Sequence, residues 1–118
     1  MESILASVKK DIGLTEECDH FDPDIIRYIN SVFNILWGLG VGPPKCFKIQ
    51  DMNDGWDSFI QGNDELESVK TYVSQKVKLM FDPPTNSTLL QALKDSIAEF
   101  EWRLNFTSEI TTETKEET

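Results

Sequence analysis

Apolar residues recur at steps of three and four in several separate runs along the chain, each broken by proline, glycine or a polar stretch. In the first run Ile4, Leu5, Val8 and Ile12 share one side, with Lys9, Lys10 and Asp11 on the other. That spacing predicts a short amphipathic helix, capped by Ser3 and stopped at Gly13, where a left-handed residue is needed. A polar, acidic link over 15–21 follows. Asp22 is placed to cap a second helix and Pro23 to occupy its first turn, where a missing N–H costs nothing. Phe21, just before the cap, is placed to staple onto Ile26. Ile25, Ile29, Val32, Phe33 and Leu36 form the apolar stripe of this helix; Arg27, Asn30, Ser31 and Asn34 form its polar face. The run Gly38-Leu39-Gly40-Val41-Gly42-Pro43-Pro44 ends it.

The middle of the chain is less regular. Cys46-Phe47-Lys48-Ile49 alternates and is a strand candidate, although a lone strand is marginal without a partner. Asn53-Asp54-Gly55 marks a turn, and Trp56, Phe59 and Ile60 predict one helical turn that Gly62 closes. Asp64 and Glu67 resemble a capping box before a third long helix, whose stripe is Leu66, Val69, Val73, Val77 and Met80. Asp82-Pro83-Pro84 stops that helix. From Ser87 a fourth begins, with Leu90, Leu93, Ile97, Phe100 and Leu104 at alternating three- and four-residue steps, a seam suited to a neighbouring helix. The short proline loop makes the last two helices an antiparallel hairpin. The fold class is therefore mainly α: a small bundle of about four helices with a C-terminal helical hairpin and a long loop carrying at most one short strand. From Thr107 the composition turns to Thr, Glu and Lys, which divides the chain into a helical domain over 1–106 and a flexible acidic tail over 107–118.

Composition narrows the function. The 118 residues hold 11 Lys and Arg against 21 Asp and Glu, a formal net charge of −10. Of that, −3 belongs to the tail and −7 to the helical body. A chain this acidic does not grip nucleic-acid phosphate by charge. No apolar run reaches the roughly 18 residues of a membrane helix. Met1-Glu2-Ser3 lacks the basic start of a signal peptide, so synthesis in a cytoplasm is expected, and the sequons at Asn86 and Asn105 read as chance matches.

Candidate chemistry is thin. Cys18, His20 and Cys46 offer three zinc ligands but no fourth Cys or His. Asp51, Asn53, Asp54 and Asp57 miss the calcium-loop spacing, with the glycine one position early and no closing glutamate. One histidine, no nucleophile elbow and no glycine-rich phosphate loop argue against an enzyme. No metal or cofactor is called for. The aromatics remain: Trp37, Trp56 and Trp102 are candidate interface anchors, with core filling as the other reading, above all for Trp56. Trp102 falls roughly opposite the seam of the fourth helix, and Arg103 beside it can meet a carboxylate on a neighbour or in its own chain.

Three stretches carry a family resemblance: His20-Phe21-Asp22-Pro23-Asp24-Ile25-Ile26, Leu39-Gly40-Val41-Gly42-Pro43, and Phe81-Asp82-Pro83-Pro84-Thr85 running on to Glu99-Phe100-Glu101-Trp102-Arg103-Leu104. Over about residues 3–106 the chain resembles the small head-tail connector (adaptor) proteins of tailed bacteriophages, the gp6-like connectors. The resemblance implies a structural virion protein of the neck. Subunits would form a twelvefold ring below the portal, extend the DNA channel without sequence-specific binding, and offer a platform to the next stopper or tail-completion protein. It also implies that residues 105–118 meet the portal. Candidate subunit or portal contacts are then Trp56, Phe59, Trp102, Arg103 and Phe106, and candidate structural hinges are Gly42, Pro43, Pro44, Pro83 and Pro84. The competing readings are an acidic DNA-mimic inhibitor and a regulatory module that binds a partner helix.

Overall fold

The computed structural model describes residues 3–15, 17–42, 45–61 and 68–116, and for 106–116 the backbone alone. Among these residues the chain forms five helices: α1 (Ile4–Asp11), α2 (Asp22–Gly38), α3 (Trp56–Ile60), α4 (Ser68–Phe81) and α5 (Ser87–Glu116). This is the mainly helical bundle expected, with the aromatic turn as α3.

α1 begins where Ser3 Oγ accepts the Ala6 N–H at 3.3 Å, and ends before Gly13, whose φ of +91° requires glycine. Ile4, Leu5 and Val8 enter the core, as the spacing predicts. Lys9 departs from its expected place on the solvent side: it is fully buried, with Nζ 2.9 Å from Asp22 Oδ1. That contact also corrects the reading of Asp22. The N-cap of α2 is Phe21, without a side-chain cap, and Asp22 is the first helical residue, its carboxylate turned to Lys9. The geometry is that of an ion contact rather than an aligned hydrogen bond, since Asp22 Oδ1 has no hydrogen-bond partner.

Four stripe residues of α2, Ile25, Ile29, Val32 and Leu36, are completely buried, and Phe33 nearly so. Each such side chain contributes about 1.5–3 kcal/mol by leaving water, more than any propensity difference along the helix. α4 lies antiparallel to α2. The Phe81 ring at the end of α4 meets Phe21, the N-cap of α2, at 5.2 Å and Tyr28, in the first half of α2, at 6.4 Å. Val69, Val73 and Val77 seat α4 in the core, and so does Tyr72, which its stripe did not include. Leu66 and the capping-box pair Asp64 and Glu67 lie outside the described residues.

Between α2 and α3 the chain packs without a strand among the described residues. Residues 46–49 form no strand, and a side chain takes the place of a strand partner. Asn30 Nδ2 donates to the Ile49 carbonyl at 3.0 Å, and Asn30 Oδ1 accepts the Ile49 N–H at 2.8 Å. At the following turn Asp54 Oδ2 accepts the N–H groups of Gln50 and Asp51 at 2.7 and 3.3 Å. The Ile4 N–H donates to the Asp54 carbonyl at 3.0 Å and ties this turn to the start of α1. α3 then stops at Gln61, which adopts the left-handed conformation at φ +51°; Gly62, the expected stop, lies outside the described residues.

α5 packs on the outer side of α4 and makes no comparable contact with α1 or α2. At about 1.5 Å per residue its 30 residues span about 45 Å, against about 21 Å for the 14 residues of α4. The molecule's longest extent is 48 Å. The backbone stays helical through Glu116, past Thr107, where composition marks the start of the tail.

Candidate assembly surface

α5 has two faces, and the sequence determines both. Its start is capped by Asn86, whose Oδ1 accepts the N–H groups of Thr88 and Leu89 at 2.8 and 3.2 Å. The seam then turns to α4: Ile97 and Leu104 are buried, and Leu90, Leu93 and Phe100 half-buried. Polar pairs fix the register of the hairpin. Tyr72 O–H donates to Glu101 Oε2 at 2.9 Å, Lys76 Nζ lies 3.6 Å from the same oxygen, and Ser96 Oγ lies 3.0 Å from Gln75 Oε1. Burial, reinforced by the bond to Glu101 and by its charge, pushes the Tyr72 hydroxyl well above its ordinary range.

The opposite face looks outward. Trp102 is 67% exposed there, the largest exposure among the big apolar side chains described. Gln91 with Asp95 and Glu99 with Arg103 form four-residue-spaced pairs along the helix. Arg103 is thus bound within its own helix, the intrachain alternative of the sequence reading. Leu89, which belongs to no stripe predicted from the sequence, is also 60% exposed. The signal was the Leu89-Leu90 pair, since two consecutive helical residues cannot both face α4. Trp37, at the end of α2, is 51% exposed.

Two aromatic candidates fall elsewhere. Trp56 and Phe59 are 1% and 2% exposed, so their rings are core and not a contact surface of this chain. They pack with Phe33, whose ring lies 4.9 Å from Phe59 and 6.1 Å from Trp56. The physical reason is that the chain doubles back after α2, so that α3 seats both rings against Phe33 rather than outward. Gly42 takes part in this packing: a Cβ there would lie 2.6 Å from two Phe59 ring carbons, at a φ of +97°. It fixes a close approach. Pro83 is exposed and Pro84 half-buried in the α4–α5 turn, whereas Pro43, Pro44 and the Phe106 side chain lie outside the described residues.

The acidic turn has a structural use, because Asp54 and Asp51 accept backbone N–H groups. No group of three or more His, Cys, Asp or Glu placed to hold a metal occurs among the described residues. Asp11, Asp22 and Glu101 also bind partners within the fold, through Ser74, Lys9 and Tyr72. A DNA mimic needs such carboxylates free on one open face, so their internal use counts against that reading. No helix among the described residues is long and apolar enough to cross a membrane.

A family model described as phage connector protein matches residues 4–111. No curated protein and no solved structure matches the chain.

Proposed function

The chain belongs to the phage connector protein family, a structural family of the phage particle, and from that premise we propose that it is one subunit of a ring at the head-tail junction. Twelve copies sit beneath the portal, extend the channel for DNA, and present a platform to a stopper or tail-completion protein. The observation that carries the subunit role is Trp102, 67% exposed on the helix face turned away from α4. Burying that exposed area against a neighbour would contribute about 2.5–4 kcal/mol per contact, taking a tryptophan's burial as roughly 150–250 Å². Arg103, exposed beside it and paired with Glu99, extends the same contact. The net charge of −10 suits a channel that DNA must traverse. A basic lumen would bind duplex and hold it, whereas an acidic one keeps it mobile.

The test is negative-stain microscopy of the protein alone and mixed with its portal, with Trp102→Ala beside the wild type. Rings, alone or on the portal, support the reading. Trp102→Ala should abolish them while the monomer keeps wild-type helicity by circular dichroism. A wild-type chain that stays monomeric and ignores the portal overturns the reading. Equal loss of helicity and assembly in Trp102→Ala would return that residue to a role in the fold.

A further inference from the structure

α5 is held to the rest of its chain along one side. Among the described elements it packs against α4, and against neither α1 nor α2 to a comparable degree. The core depends on it little. Of the buried apolar side chains described, α5 supplies Ile97 and Leu104, and the chain up to Val77 supplies all the others.

The seam to α4 is nevertheless specific. Tyr72 and Lys76 both address Glu101, and Ser96 meets Gln75, so one register serves all three contacts. Nothing in that seam requires α4 and α5 to belong to one chain. The α4 of a second copy offers the same partners in the same order.

The link between the two helices favours the second copy. Residues 82–86, Asp-Pro-Pro-Thr-Asn, join Phe81 to Ser87. Each proline drives the residue before it toward extended backbone, so Asp82 and Pro83 both favour a straight course. Extended, the five residues reach about 15 Å. The hairpin asks those same residues to reverse the chain. Passing α5 to a neighbour lets the link run straight and keeps every contact of the seam. Because the seam is identical in both arrangements, the link decides between them once subunits are held side by side. An exchange handed on in one sense from copy to copy is head-to-tail, the kind that closes into rings.

We infer that α5 is exchanged between neighbouring subunits: over residues 87–104 it leaves the α4 of its own chain and seats on the α4 of the next copy, with residues 82–86 as the extended hinge. This rests on the ring reading and names the element that would join its subunits.

The native Lys76–Glu101 pair tests it on the full chain. Lys76 Nζ lies 3.6 Å from Glu101 Oε2, close enough for a water-soluble carbodiimide to condense the two side chains into an amide. The protein is prepared with natural nitrogen and, separately, with heavy nitrogen. Monomers of both kinds are mixed in equal amounts, assembled with the portal, treated with carbodiimide, digested and read by mass spectrometry. In the free monomer the crosslink should join peptides of one isotope. In rings, crosslinks of mixed isotope should be as frequent as those of one isotope. Rings whose crosslinks are all of one isotope overturn the inference and leave the ring reading standing. So do rings in which the pair no longer joins, since the exchanged seam keeps it. A chain that forms no rings, with or without portal, overturns both.

Discussion

Replacing three glycines one at a time by alanine separates backbone strain from packing in this fold. Gly13 sits at φ +91° with open space where a Cβ would go, so Gly13→Ala carries strain alone. A left-handed conformation costs an L-residue about 1–2 kcal/mol. Gly42 sits at φ +97° and adds contact with two Phe59 ring carbons at 2.6 Å. Phe59 is 2% exposed and packed against Phe33, so its ring has little room to yield. Overpacking adds about 1–3 kcal/mol, giving about 2–5 kcal/mol in all. Gly38, the last residue of α2, has nothing within 4 Å of its Cβ position. There alanine gains up to about 1 kcal/mol of helix propensity. A domain of 118 residues holds roughly 6–18 kcal/mol of stability in total, so Gly42→Ala removes a large share. Urea unfolding followed by tryptophan fluorescence measures all three; at a slope of about 1–3 kcal/mol/M the shifts are resolvable. The expected order of stability is Gly38→Ala, wild type, Gly13→Ala, Gly42→Ala. If Gly42→Ala is no worse than Gly13→Ala, the seat of Gly42 on the Phe59 ring is wrong, and with it the packing of the loop.

Two further outcomes follow from polar groups in the core. Asn30→Ala removes both bonds to Ile49 and leaves a buried backbone pair unsatisfied, a loss of about 2–4 kcal/mol, with faster hydrogen exchange at the Ile49 amide; unchanged exchange would refute the clamp. Tyr72 is held neutral in the fold by burial and by Glu101, so its ionisation lies higher folded than unfolded. Its contribution is complete below the unfolded value of about 10 and is lost as pH rises through the folded one. Wild-type stability should therefore fall above pH 10 more steeply than that of Tyr72→Phe, and parallel curves would refute this.

The stripes of α2, α4 and α5 were legible because burial of a helix face imposes a 3.6-residue period that any reader can find. Ser3 and Gly13 were legible because caps act within a few residues. What escaped were polar residues whose partners are distant in sequence. Lys9 read as solvated, yet Asp22 and the core enclose it. Asp22 had the form of a cap, but that lysine claims its carboxylate. Asn30 lay on a polar face and proved to be the clamp that replaces a strand partner. Periodicity cannot separate a polar side chain facing water from one facing a loop folded back upon it. The same blindness covers tryptophan. Trp56 and Trp102 were candidates of one kind, and only the doubling back of the chain after α2 put the first inside. Trp102 was legible as an outward residue because the seam of α5 was so regular.

As proposed, this chain builds a ring at the portal. Native mass spectrometry of the portal mixed with an excess of the protein tests it most directly. The expected result is a single complex heavier than the portal by twelve subunits of 13.5 kDa. A portal whose mass does not change, beside free monomer, would contradict it.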